Sequence, residues 1–257
     1  MVADAVHGEE ADSHARTLAL TASDWSYRHY EYIRSMSAEN QSPNSTRTTV
    51  RRNAKRAGYG REQIHGILRD GLVAHVAVNT PEGPLALPMV YGVHEETMYL
   101  HGAVANALLR ASDDSEICAT VTIVDGLVFA KTPFNHSMNY RSVVVRGRGR
   151  VVTDSDELNL AFEVMTNHAV GTWETTRKPS PSEIRATRVI ALPLTEASAK
   201  VRTGAAINSP EDASEPYWSG HVPIVTTFGL AVTNDDAGAA VPAAVEALTG
   251  KPVHEHE

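Results

Sequence analysis

The chain has 257 residues, 42% of them hydrophobic and 21% charged, with a net charge of −8, ordinary proportions for a globular protein with a full core. That acidic balance excludes a dedicated nucleic-acid binder, which needs a basic face for phosphate. No apolar run approaches the roughly 20 residues that span a bilayer. The acidic start (Asp4, Glu9, Glu10, Asp12) is unlike a signal peptide, and the single Cys118 has no partner for an intramolecular disulfide, so a cytoplasmic protein that engages no membrane is expected.

Residues 1–22 are polar and mixed in charge and read as disordered. From Ser23 a short helix is expected, with Trp25, His29, Tyr32, Ile33 and Met36 on one face. Such an aromatic stripe docks on a neighbouring surface or helps line a pocket, and a polar linker then completes an appendage over 23–46. A main domain is expected over 47–229. Its first fifteen residues, 47–61, hold six Arg or Lys, read as an extended lead-in because few aromatics separate the charges. Arg61 to Leu68 forms a helix that turns Ile64, Ile67 and Leu68 inward and ends at Gly71.

The period then changes to alternation. Strands are expected over 72–79, 85–94 and 97–102, separated by Thr80-Pro81-Glu82-Gly83 and Glu95-Glu96 turns. The third runs into a helix over 103–112, and such a junction directs unpaired N–H groups near Ala105 and Asn106 at whatever lies above the strand end, a place for a phosphate. His101, just before it, is either a half-buried strand residue or a functional group that titrates near neutrality.

Further strands follow over 116–124 and 127–131, split by an Asp125-Gly126 turn, and over 139–154. In that last strand the alternating Arg146-Gly147-Arg148-Gly149-Arg150 resembles an RNA-binding box, yet reads better as a bent strand with glycine at a corner and arginines on the wet face. A helix over 154–170 and a strand over 188–199 complete the regular pattern. Past Arg202 an ordered island stands at 216–224, and 230–257 reads as a flexible tail. Its His254-Glu255-His256-Glu257 lacks the fixed geometry of a metal site. Many short antiparallel strands with few helices predict a mainly β fold, a barrel with peripheral helices.

The segments Leu87-Pro88-Met89-Val90-Tyr91, Tyr99-Leu100-His101-Gly102-Ala103, Asp125-Gly126-Leu127-Val128, Asn139-Tyr140-Arg141-Ser142-Val143, Ala199-Lys200-Val201-Arg202 and Trp218-Ser219-Gly220-His221, in that order and spacing, resemble the FMN-binding split-barrel proteins. The pyridoxamine-phosphate-oxidase-like branch with the nitroimidazole-resistance reductases is the nearest in pattern, over roughly residues 50–229.

The resemblance implies an antiparallel split β-barrel, a homodimer with FMN between subunits, and two-electron chemistry on a small organic substrate, by nitro or double-bond reduction or by amine oxidation. Relatives on this fold hold the deazaflavin F420 or heme instead, and a non-catalytic flavin or heme carrier is the competing reading. Mapped onto this chain, the phosphate falls to backbone donors at Ala105 and Asn106, the Ser142 hydroxyl and the Arg141 charge, although Asn106 stands where relatives usually carry Arg or Lys. Pro88, Met89, Val90 and Tyr91 present backbone groups to the flavin edge, Leu100 and His101 reach it from the next strand, and Ser198 and Lys200 approach from the last. Trp218 walls the pocket or anchors the dimer; Arg141 and Lys200 are alternatively surface ion-pair partners, and His136 belongs to a covering loop or is a plain surface histidine. By the same resemblance His101 is the proton donor to a reduced substrate. Pyridoxamine phosphate oxidation itself is not expected, because the arginine-rich C-terminal signature for that substrate is absent.

Overall fold

The computed structural model describes residues 42–235 and 238–254, so the expected N-terminal disorder and most of the aromatic appendage lie outside the described residues. Among the described residues eleven strands form two antiparallel sheets around a shared core. The larger contains β1 (Ala57–Gly58), β2 (Ala74–Thr80), β3 (Gly83–Met89), β6 (Glu116–Phe129), β7 (Ser137–Arg148), β10 (Glu196–Arg202) and β11 (Gly220–Pro223). Its order is β1-β10-β7-β6-β2-β3, with β11 added along β6. The smaller runs β4-β5-β9-β8, from β4 (Tyr91–His94), β5 (Thr97–Ala103), β8 (Arg150–Val151) and β9 (Thr187–Pro193). This is the expected mainly β, antiparallel split-barrel fold with peripheral helices.

Three expected strands are shared between the sheets. The alternation from Leu85 to His94 runs on without a visible stop, yet the chain changes sheet at Val90, which is 38% exposed. The expected strand over 188–199 is likewise two strands, β9 and β10, joined at residues 194–195. The Arg-Gly run behaves as expected: Arg146, Arg148 and Arg150 face solvent, and the chain turns from β7 into β8 at Gly149, where a Cβ would lie 2.3 Å from the Ser112 carbonyl oxygen. In contrast, Asp125-Gly126 makes no turn. β6 passes through it as one strand with a bulge between Val124 and Gly126.

Helix α1 (Arg61–Asp70) buries Ile64, Ile67 and Leu68, spaced three and four apart, against the larger sheet. Helix α2 (Ala107–Ala111) is shorter than the expected 103–112, because β5 keeps pairing with β9 as far as Ala103. Helix α3 (Ser155–Ala169) starts on an Asp154 cap that accepts from the backbone N–H groups of Asp156 and Glu157, and packs Ala161 and Met165 on the outer face of the smaller sheet. It approaches β4 at backbone distance, since a Cβ on Gly92 would sit 2.6 Å from the Met165 nitrogen. A short α4 (Pro181–Ala186) with a Ser180–Glu183 capping box leads into β9.

The C-terminal segment folds back onto the body. Val253 N–H donates to the Thr226 carbonyl at 2.8 Å, Phe228 N–H to Lys251 at 3.0 Å, and His254 Nδ1 lies 2.8 Å from the Asp70 carbonyl. A short α5 (Ala243–Glu246) stands in that segment.

At the centre Arg141, 1% exposed, is held between Asp70 at the end of α1 and Asp125 at the β6 bulge. Its Nη2 donates to Asp125 Oδ1 at 3.0 Å, and its Nη1 donates to Asp70 Oδ2. Removing one partner of a buried pair leaves a charge without compensation, at a cost of about 3–5 kcal/mol. Denaturant unfolding of Arg141→Ala is therefore expected to show a loss of about that size, whereas a loss below about 1 kcal/mol, the ceiling for a surface ion pair, would contradict a buried cluster.

Candidate functional site

The outer face of the larger sheet gathers part of the expected site. Directly opposed residues on neighbouring strands share a face, so Pro88, His75, Thr120, Val144 and Ser198 form one row, and Thr122, Ser142 and Lys200 the next. Ser142 Oγ donates to the Lys200 carbonyl at 3.3 Å, and the half-buried Lys200 makes no ion pair among the described residues. Two hydroxyls and a cation thus stand together at one edge of the sheet. Pro88 shares their face but lies four strands away, about 19 Å at normal strand spacing.

The core claims other expected residues. Met89 is 8% exposed, and Tyr91 and Leu100 are fully buried and pair with each other across β4 and β5. The Tyr91 hydroxyl lies 2.5 Å from the Leu68 carbonyl and 2.8 Å from that of Gly71, which makes it a post between β4 and the end of α1. Val90 alone of this run stands outside both ladders and half in solvent. Arg141 is the larger correction. Its guanidinium is spent on two buried carboxylates, so the structure gives it neither the surface ion pair nor the phosphate contact considered for it.

The expected phosphate junction is largely self-satisfied. Asn106 caps α2 by accepting from Leu109 N–H at 3.2 Å, its own N–H donates to Ala103, and the Val104 N–H donates to Ala186. Ala105 is exposed beside them. His101 lies on the other face of β5. It pairs with Val189, which packs with Tyr99 under α3, whereas a Cβ on Gly102 would point at Leu109 and Asn106. His101 Nδ1 is buried without a hydrogen-bond partner, the one such side-chain atom among the described residues. Burial also lowers its pKa from the ordinary histidine value of 6.5. At neutral pH the ring is therefore an uncharged imidazole that offers one N–H and one lone pair.

At the far end of β6 the Trp218 ring, 66% exposed, lies 5.7 Å from Phe129, which meets the edge of His136 at 5.8 Å. His136 Nδ1 accepts from the Ala130 N–H at 3.0 Å, so the histidine pins its own loop. Beside this cluster Met138, Leu127 and Val222 are opposed across β7, β6 and β11, and all three are more than 40% exposed.

Two hollows had no signal in the sequence. A cleft of about 480 Å³ between α1, β4 and α3 is lined by His65, His94 and His168, by the polar or charged Arg69, Glu163 and Asn167, and by four aliphatic residues. A smaller one, about 270 Å³, lies over the larger sheet beside Arg47, Cys118 and Arg146. The three histidines come from three separate elements and share no spacing that a sequence motif would reveal.

The pyridoxamine 5'-phosphate oxidase family model matches residues 60–201, and the chain belongs to that family. Among solved structures, the flavocytochrome Anf3 from Azotobacter vinelandii is 29% identical with a TM-score of 0.77, over 82% of this chain and 100% of that one. The FAD and heme binding protein from Mycobacterium smegmatis is 27% identical with a TM-score of 0.73, over 78% and 100%. A putative 5-nitroimidazole antibiotic resistance protein from Bacteroides thetaiotaomicron is 21% identical, with a TM-score of 0.48 over 56% and 86%. No curated protein matches the chain in sequence.

The burial of His101 sets a measurable expectation. In an imidazole NMR titration its midpoint falls below 6.5; a midpoint at or above that value would mean that the ring gains an acidic partner or stands in water.

Proposed function

We propose that this chain is a flavin-dependent redox protein that also carries heme, built as a flavocytochrome. The observation that supports this best is the extent of the structural likeness. The family model ends at residue 201, whereas the likeness to the flavocytochrome takes in 82% of this chain and all of that one, at a TM-score of 0.77. A second structure alike along its whole length is named for FAD and heme together. The flavin expected as FMN is therefore proposed as FAD, with heme as a second group rather than a substitute.

A bound flavin supplies one- and two-electron transfer. In this reading Lys200 offers positive charge toward the ring's electron-rich edge, and Ser142 and Ser198 offer hydroxyls from the same face. A cation there favours the anionic reduced form over the neutral oxidised one. The buried His101 Nδ1 suits a hydrogen bond to a bound molecule, and the uncharged ring orients rather than protonates. The reaction is oxidoreduction of a small organic acceptor or donor.

The exposed row of Met138, Leu127 and Val222, continuous with the outer sheet face, supports a homodimer built across it. The dimer also answers the separation of Pro88 from Ser198 and Lys200, since one flavin then takes the two edges from two subunits.

FAD titration of the flavin-free chain, followed by flavin fluorescence, tests the site. Lys200→Glu is expected to weaken binding by about tenfold or more, the equivalent of about 1.4 kcal/mol, with unchanged thermal unfolding; binding equal to that of the parent would remove Lys200 from the site. Sedimentation tests the assembly. Leu127→Asp is expected to convert a dimer to a monomer, and an unchanged dimer would place the interface elsewhere.

A further inference from the structure

Helices α1 and α3 flank β4 to form the larger cleft as a trough open to solvent. On α3 its lining recurs at Leu160, Glu163, Val164, Asn167 and His168, one face of two helical turns and about 12 Å long. Leu68, Val93, Leu160 and Val164 give it an aliphatic floor between polar walls. The wall charges Arg69 and Glu163 make no ion pair among the described residues. An apolar floor under a polar rim matches an amphipathic helix laid along it. The sequence carries a stretch of that pattern outside the described residues. Trp25, His29, Tyr32, Ile33 and Met36 recur at helical spacing over about 16 Å, and Arg28 and Glu31 stand among them.

The described chain starts at the same corner of the fold. Asn44 Nδ2 donates to the Thr195 carbonyl at 2.7 Å, and the adjacent Leu194 N–H donates to the Glu96 carbonyl at 2.8 Å. The Glu96 carboxylate in turn meets Nε2 of His65, a wall residue of the trough, at 3.2 Å. Seven residues separate Met36 from Asn44, a reach of about 27 Å when extended. The exposed row at Leu127 lies farther off. Arg47 is paired at 2.6 Å with Glu116 at the start of β6, and Leu127 stands about 36 Å along that strand. We infer that residues 25–36 dock in this trough of their own chain as an amphipathic helix. Their aromatic and aliphatic side chains cover the floor, and Arg28 and Glu31 complement Glu163 and Arg69. The inference is independent of which cofactors the protein holds.

Backbone hydrogen exchange of the full chain, read by mass spectrometry, tests the docking. Leu160→Glu puts a charge on the floor, and Ile33→Glu puts one on the stripe without touching the described body. In the parent, residues 25–36 are expected to exchange at least about tenfold more slowly than in either variant. Disulfide trapping tests the place. In a Cys118→Ser chain, Ile33→Cys with Val164→Cys is expected to form a disulfide within one chain, and Ile33→Cys with Leu127→Cys none. Equal exchange in the parent and both variants overturns the inference, and so does a disulfide to position 127 in place of 164. A 33–164 disulfide that links two chains gives the trough to a second copy and overturns docking within one chain.

Discussion

Arg141 sits where three pieces of the fold meet, and its two carboxylate partners come from elements that have no backbone pairing to each other. Asp70 ends α1, Asp125 forms the bulge of β6, and Arg141 is on β7. Two carboxylates face one guanidinium, and burial raises the Asp70 pKa despite Arg141 beside it. Such a cluster contributes position more than net stability, because desolvation offsets much of the attraction. What it positions is considerable. The Asp70 and Gly71 backbone carbonyls, held at the end of α1, receive His254, His168 and the Tyr91 hydroxyl. The C-terminal segment, α3 and β4 are thereby referred to one point.

That arrangement bears on function through the two regions it separates. One side of the molecule is the outer face of the larger sheet, with small, polar and exposed apolar residues in register and, among the described residues, no helix over it. The other is the helix-covered side, with the buried His101 and the histidine-lined cleft. A protein that carries two redox groups needs two environments: a polar, cationic one for a flavin and an apolar one with an imidazole for heme. The proposed function places the flavin on the first of these sides, beside Ser142, Ser198 and Lys200.

Much of the fold was legible because the alternation of apolar residues is strong. The barrel class, α1, α3 and the glycine corner of the Arg-Gly run all follow from period and turn chemistry. The sheet change at Val90 was not, because apolar alternation continues through it and only the pairing partner changes. Asp125-Gly126 reads as a turn by local propensity, whereas β6 runs on through it with a bulge and Asp125 meets the buried Arg141 guanidinium. Arg141 itself carried a usable signal: it shares parity with Val143 and Val145 on a strand whose other parity ends in exposed arginines, which places it inward. The resemblance gave Ser142 to a phosphate and Ser198 and Lys200 to the ring, and the structure places the three on one sheet face, while Tyr91 and Leu100 carry side chains that the core needs. The cleft stayed invisible because its imidazoles are brought together only by the packing of α3 on β4.

The measurement that bears most directly on the account is the absorption spectrum of the chain purified without added cofactor, with mass identification of what denaturation releases. A flavocytochrome predicts flavin bands and a Soret band together, with FAD and heme released in comparable amounts. A spectrum of F420 or of FMN alone, with no Soret band, would contradict it.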